Sequence, residues 1–486
     1  MIRQCAQALQ AYSKRVSRIR IVAGGIPQDG PAIPGADAVQ VPQIGYSPIP
    51  ARKGILWKER SKRLADMLVD TFGGADVVWW IHNHHLGKNP LFTEAVLRVA
   101  GMSDGPRMVL QPHDFPEAGR FGNLRDLDRT VTLPLYPEGE RVRYALINRR
   151  DLELLTDAGV APSRLFLLEN PVTPLAESVV GEDRTRLRSK LFPRSDPMQP
   201  TLLYPVRSIR RKNVLEAGML LRLVDTPLRL IATLPGVSRP EKRYSELVAK
   251  SFRSGLIPGE FATGVRRPDL SLENLAAACD MVVSSSVQEG FGYLFIQALQ
   301  WGLPLLARRL DTIPGAEALF GSYPAFFYSD FLCPLEGRLR SSLRARYKRK
   351  LRSIRRSAPA RAVAVLENEL FNAFARDSVD FSYLDTNSQT RFLEASARSS
   401  DFRSAIRALN GSLVEAVSSL LSEHPRARHD IVNESFGLRA YASRVDQLLE
   451  SFDQPLAPAV TADPADVQQR VRSAFLQPQY LRLLLD

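Results

Sequence analysis

At 486 residues, 44% hydrophobic and 24% charged, the chain has material for two or three globular domains, and composition excludes a disordered or fibrous protein. Three scattered cysteines (Cys5, Cys279, Cys333) exclude a disulfide framework and a CxxC metal site, as expected in a reducing compartment, the cytoplasm. The net charge is +13, but Arg338 to Arg356 holds ten Arg and Lys and no acid, leaving +3 for everything else.

Met1 to Arg20 carries five cations without an apolar h-region, which argues against a secretory signal. Ile19 to Ala23 reads as a strand, followed by Gly24-Gly25 and a Gly/Pro-rich loop. Glycines there let backbone approach a ligand, although an ordinary loop looks the same. Val39 to Ile44 is predicted as a strand and Ile55 to Phe72 as a helix.

Asp76 to Ile81 is predicted as a buried strand running into His82-Asn83-His84-His85. A helix Leu91 to Ala100 and a strand Arg107 to Gln111 follow, then His113-Asp114. A third strand, Val142 to Ile147, precedes a helix Asp151 to Ala158 and a strand Arg164 to Leu168. Such alternation argues for a parallel, doubly wound sheet. The rhythm lapses over 176–199, read as a linker, then resumes: strand Thr201 to Pro205, helix Asn213 to Leu223, strand Leu228 to Thr233, helices Glu241 to Phe252 and Leu272 to Ala278, and strand Asp280 to Val283. Domains are therefore expected at 1–175 and 200–430, with a closing helix and tail over 431–486. No apolar run nears the ~20 residues of a membrane-spanning helix.

From about Tyr323 the chain reads as helical, without strand rhythm. In the basic segment Leu339, Leu343, Tyr347, Leu351 and Ile354 recur at helical spacing. Two readings stand: a helix meeting an anionic membrane at the inner face, or a solvated helix whose apolar stripe packs on the protein itself. No nucleic-acid module accompanies the segment. Phe436 to Phe452 is a further amphipathic helix, and residues beyond Asp453 are read as a loose extension.

In open α/β sheets ligands bind beyond the carboxyl ends of strands. The groups found there are Gly24-Gly25, His82 to His85, His113-Asp114, Arg207 and Glu289. Glu289 precedes Gly290-Phe291-Gly292 between a strand and a predicted helix Tyr293 to Trp301. Backbone N–H groups and a helix N-terminus there favour an anion, with a carboxylate beside them for hydroxyls. Arg207 and Lys212 add two cations able to neutralise a diphosphate, or else form a solvated basic loop. A histidine metal site is disfavoured, because adjacent ligands on a turn rarely close a tetrahedron and no HExxH is present.

These motifs resemble the family 4 retaining glycosyltransferases of GT-B fold. The resemblance rests on Arg207/Lys212, on Leu275 to Asp280, on Ser285, Glu289-Gly290-Phe291-Gly292 and Gly302-Leu303-Pro304, on Asn170-Pro171-Val172 and on the Asn433 to Phe452 helix. It implies two Rossmann-like α/β domains facing across a cleft, with a nucleotide-diphosphate sugar as donor and no cofactor or metal. Glu289 and the N–H groups of Gly290, Phe291 and Gly292 would hold the donor hexose, Arg207 and Lys212 the departing diphosphate, and His113 the transferred sugar. Apart from the resemblance, His82, His84, His85 and Asp114 read as lining the acceptor side, with one or two of the histidines only hydrogen-bonded in structural roles, and the acceptor is expected to be a small molecule, a saccharide or a lipid-linked sugar. The family pattern expects a second glutamate where this chain has Gln297. That exchange costs on the order of 1 kcal/mol in ribose binding, several-fold in affinity. Rival readings are a GT-B-shaped scaffold that has lost catalysis, and an epimerase or phosphorylase on the same fold.

Overall fold

The computed structural model describes residues 1–26, 33, 35–46, 55–173, 175, 184–312, 318–355, 358, 360–454 and 462–485. Most of the Gly/Pro loop after Gly25 and residues 176–183 of the expected linker fall outside these. Chain contacts gather Met1–Thr173, Arg352–Ala364 and Asn433–Gln477 into one compact unit, and Pro174–Leu351, Val365–Val432 and Pro478–Asp486 into another.

In the first unit, β1 (Ile19–Ala23) and β2 (Ala36–Gln40) form a parallel pair of their own. The strand expected over 39–44 thus ends at Gln40, and Pro42–Ile44 is a 3₁₀ turn, as suits a proline that lacks an N–H for a ladder. The main sheet is parallel, in the order β3 (Val78–His82), β4 (Arg107–Gln111), β5 (Val142–Leu146) and β6 (Leu165–Leu167). β5 is buried throughout, and its Val142-Arg143-Tyr144-Ala145-Leu146 has the apolar continuity of a strand covered on both faces, Arg143 excepted. Arg143 is satisfied by Ser451, whose carbonyl it meets at 2.7 Å, and lies over the Phe452 ring.

One cover of this sheet comes from two helices far apart in the chain. The helices Ile2–Tyr12 and Leu438–Glu450 pack together, and Ala8, Val109, Ala145, Tyr441, Val445 and Leu448 share one buried cluster. The amphipathic face seen in the sequence therefore belongs to the first unit's core. Helix Pro464–Ala474 replaces the loose extension expected after Asp453; Val467 and Val471 are buried, and Arg472 pairs with Asp128.

The second unit carries a six-stranded parallel sheet in the order β12-β11-β10-β7-β8-β9, where β7 is Thr201–Arg207, β8 Arg229–Leu234, β9 Gly259–Phe261, β10 Met281–Ser284, β11 Leu305–Arg308 and β12 Ala325–Tyr328. Numbered by appearance within the unit, the order is 3-2-1-4-5-6, the doubly wound arrangement whose direction of winding reverses between β7 and β10. The stretch read as linker contains the helix Arg184–Leu191, tied to this sheet because Arg184 and Arg188 both pair with Asp280.

The expectation of no strands beyond Tyr323 is corrected. β12 extends the sheet, and β13 (Leu332–Pro334) pairs antiparallel with β14 (Ser378–Asp380). Three- and four-residue strands leave too few alternations to be read from sequence. The basic segment is the helix Gly337–Ile354, and Leu343, Tyr347 and Leu351 on its stripe are fully buried. Its apolar stripe is spent on the protein's own core, leaving Lys348, Arg349, Lys350 and Arg352 exposed without an apolar face to insert into a bilayer. No helix of the described residues is long and apolar enough to cross a membrane.

The role of the returning helix is open to measurement. Leu448→Ala should cost about 2–5 kcal/mol in urea unfolding, whereas Gln447→Ala on the exposed side of the same helix should stay within about 0.5 kcal/mol. Equal, small effects at both positions would detach this helix from the core.

Candidate functional site

The second unit's polar groups collect where β7 and β10 end, on either side of the reversal. Pro205 breaks the β7 ladder, and the register with β8 shifts between Tyr204 and Arg207. Such an irregularity re-aims the side chains that follow. Arg207 emerges half-exposed, its guanidinium 3.7 Å from Glu241, the capping-box residue of helix Arg239–Arg253. A 3₁₀ turn, Arg210–Lys212, then leads into Asn213, which takes the left-handed conformation (φ 52°) that asparagine tolerates and starts the helix Val214–Leu221.

This turn is laced to the end of β10. Val287 N–H donates to the Arg211 carbonyl at 2.9 Å, and Ser285 Oγ donates to the Asn213 carbonyl at 2.9 Å. Tyr204 Oη donates to the Lys212 carbonyl at 2.6 Å. With its backbone held from both strands, Lys212 places its ammonium on the Glu289 carboxylate in an ion pair that is largely shielded from water. Burial pushes the Lys212 pKa down despite Glu289. Burial acts to raise the Glu289 pKa, but the Lys212 and Arg211 charges outweigh it and hold the carboxyl below its ordinary value. Gly292 (φ 82°) then turns the chain into the helix Tyr293–Trp301, whose N-terminus has no side-chain cap. Gly290 and Phe291 precede it, with the Phe291 ring edge-on to Tyr293, and Gln297 lies one turn along, half-buried.

Beneath the turn is a second layer that the sequence reading missed. Asn213 Nδ2 donates to Glu216 at 2.6 Å, and its Oδ1 accepts from Gln389 at 3.0 Å. Glu216 takes two bonds from the Arg308 terminal nitrogen at 2.6 and 2.7 Å, and Arg308 also meets Asp380 at 2.7 Å. All three charged groups are buried, so each depends on the others for the solvation it has lost. The available signals were the run Ser284-Ser285-Ser286 at the end of an apolar strand and Arg308 closing Leu305-Leu306-Ala307. Polar groups inside apolar stretches require partners.

In the first unit the histidines separate into two sets. His84 and His85 are interior: His84 Nε2 bonds the Leu135 carbonyl at 2.9 Å, and His85 sits among His84, Phe115 and Tyr136. His82 and His113 are half-buried at adjacent strand ends, joined Nδ1 to Nε2 at 2.9 Å with rings 5.1 Å apart. Asn83 (φ 54°) accepts the His113 N–H at 2.7 Å, while Asp114 is held by Arg120 at 2.7 Å. Burial lowers the His113 pKa to about 4; burial and then His113 lower the His82 pKa to about 3. Both rings are neutral near pH 7. Gly24 belongs to β1's loop, where a Cβ would lie 2.0 Å from Gly45 Cα, so its missing side chain serves backbone packing. Gly25 is exposed, with open space beside it.

No family model matches the chain. Over 420 residues it is 29% identical to the mannosylglucosyl-3-phosphoglycerate synthase of Petrotoga mobilis, a match covering 85% of this chain and 80% of that protein. The likeness is to a glycosyltransferase. Among solved structures, the lipopolysaccharide outer core galactosyltransferase WaaB in its apo form is 11% identical over 92% of this chain and 94% of its own, with a TM-score of 0.49. HepE of Anabaena, in complex with UDP and glucose, is 14% identical over 92% and 95%, also with a TM-score of 0.49.

The depressed Glu289 pKa has a testable sign. A carboxyl lowered by folding contributes stability above its unfolded pKa, and loses it as pH falls through the folded one. In Lys212→Met the largest opposing charge is gone, so Glu289 takes up its proton at higher pH. The acid-unfolding midpoint followed by far-UV circular dichroism should therefore move upward. An unmoved midpoint would mean that the pair does not carry the carboxylate's charge.

Proposed function

We propose that the chain is a glycosyltransferase of GT-B type that moves a hexose from a nucleotide-diphosphate sugar to an acceptor, with retention of configuration and without a metal. The observation that carries the reading is the Lys212–Glu289 pair, supplied by the two strands flanking the winding reversal of the second sheet. A cation and a hydroxyl acceptor fixed side by side suit a sugar joined to a diphosphate. The family resemblance and the Petrotoga relative point the same way.

In this reading Lys212 and the more exposed Arg207 take the diphosphate charge, which grows as the glycosidic bond breaks. Positive groups already in place there stabilise the leaving group without reorganisation, and they take over the task a metal would otherwise perform. Glu289 binds sugar hydroxyls, with the N–H groups of Gly290 to Gly292 beside it. Gln297 meets the ribose as an uncharged donor and acceptor, and His113 contacts the transferred sugar. The relative is named for a product containing phosphoglycerate, and we take the acceptor here to be a phosphorylated, anionic glycoside.

Purified protein given a panel of UDP-, GDP- and ADP-sugars should bind one class and release its nucleoside diphosphate. Lys212→Ala should lower kcat about 10²- to 10³-fold with the far-UV spectrum retained. Tight nucleotide binding without turnover for any donor and acceptor would replace the enzyme with a binding protein. Gln297→Glu should tighten donor binding several-fold in calorimetry, about 1 kcal/mol; an unchanged constant would remove position 297 from the ribose contact.

A further inference from the structure

The second unit has a cavity of about 370 Å³ at the end of its sheet opposite the Lys212–Glu289 pair. It lies where the parallel strands begin: Gln199 comes shortly before β7, Arg229 opens β8 and Gly259 opens β9. Leu191, Phe192, Arg194 and Ser195, at the end of helix Arg184–Leu191 and just beyond it, line it as well. Arg229 sets this cavity apart. A buried guanidinium needs a counter-charge or a full set of acceptors, and the other arginines buried among the described residues have them. Arg308 has Glu216 and Asp380, Arg188 has Asp280, and Arg143 places all three guanidinium nitrogens on carbonyls or a hydroxyl. Arg229 is 3% exposed and forms no ion pair with any described carboxylate. Its Nη2 donates to the Asp196 and Gln199 carbonyls at 2.8 and 3.0 Å, and its guanidinium lies 4.1 Å over the Phe192 ring. Nε and Nη1 have no partner. Burial lowers the Arg229 pKa, Arg188 lowers it further, and the more distant Asp196 and Asp280 do not make up the loss.

Further donors surround it. The side chains of Arg194, Ser195 and Gln199 make no hydrogen bond to the described residues, and the cavity's one acid, Glu260, faces Arg266 at 3.3 Å. A buried positive charge without a fixed counter-charge sends its field into the nearest cavity, and apolar walls such as Leu191, Phe192 and Pro258 keep that field strong. Two cations and neutral donors together suit a tetrahedral dianion better than a single carboxylate, which one arginine satisfies. The volume lies at the lower end of the range for small-molecule sites. We propose that this cavity is a second ligand site that binds a phosphoryl group, held by Arg229 and Arg194 with Ser195 and Gln199 donating to its oxygens. The group arrives either as free phosphate or on a small phosphorylated sugar. The site stands at the starts of the strands, away from the strand ends assigned to sugar transfer, and it does not depend on that assignment.

Calorimetric titration of the full chain with inorganic phosphate and with glucose 6-phosphate, at constant ionic strength, tests the site. Arg207 and Lys212 also attract such anions, so both titrations are repeated in the double variant Arg207→Ala/Lys212→Ala. A saturable site should persist in that variant, weaken roughly tenfold in Arg194→Ala and disappear in Arg229→Gln. Arg194 is exposed, so its removal leaves the fold intact and decides the matter even where Arg229→Gln fails to fold. Tighter binding of glucose 6-phosphate than of phosphate identifies a phosphorylated sugar as the ligand, and the reverse order identifies the free ion; both agree with a phosphoryl site. Three results overturn the proposal: no saturation by either anion, an affinity unchanged in Arg194→Ala, or binding that vanishes in Arg207→Ala/Lys212→Ala. None of them touches the proposed transfer reaction, which fails instead where no donor yields a nucleoside diphosphate.

Discussion

Ionised groups taken out of water must find their solvation in one another, and this constraint organises the second unit. Arg308 at the end of β11 is fully buried between Glu216 and Asp380. Removing any one of the three would leave an uncompensated interior charge, typically worth about 3–5 kcal/mol. The arrangement consequently fixes the start of helix Val214–Leu221 against β11 and β14. Asn213 hangs on the same cluster through Glu216, and Lys212 is its neighbour in the chain. The site's cation thus stands on a turn whose far side is anchored in the core.

The order of the strands explains why the Lys212–Glu289 pair forms where it does. In a sheet wound both ways, the crossovers after β7 and β10 leave on opposite faces, which opens space at the strand ends. The free pair serves two purposes there. It satisfies two groups that would be costly to bury alone, and it fixes the position of the Lys212 ammonium.

Much of this was legible in the sequence, and the failures have physical causes. Alternating apolar runs and helical periodicity located β3 to β8 and β10, because those strands are long or flanked by clear helices. The site loops were readable because Gly292, Gly302 and Pro205 mark places where ordinary backbone cannot continue. The strands past Tyr323 escaped notice because three or four residues carry no period. Helix Pro464–Ala474 was hidden by the Pro- and Ala-rich stretch before it, although Asp463 and Pro464 form a good helix start: the Asp463 side chain accepts the Ala465 N–H. The basic helix shows the opposite case. Its apolar spacing was read correctly, but a stripe looks the same whether it meets a membrane or its own domain. The burial of Tyr347, whose hydroxyl donates to the Tyr383 carbonyl at 3.0 Å, resolves the matter. His84 and His85 could not be told from His82 by sequence either, since adjacent residues after a strand can turn inward or outward with equal ease.

In the proposed reaction the arriving diphosphate competes with Glu289 for Lys212. Binding is therefore an exchange of anions: the carboxylate surrenders part of its ammonium contact and recovers stabilisation from sugar hydroxyls. An exchange of this kind favours a ligand that brings both parts together. A bare diphosphate would leave Glu289 short of partners in a dry site, and a bare sugar would gain nothing from Lys212. Arg207 differs, because it is half-exposed and paired loosely with Glu241 at 3.7 Å, so it can turn to a diphosphate at small cost. In the proposed reaction the buried pair would discriminate between ligands, and the exposed arginine would attract them.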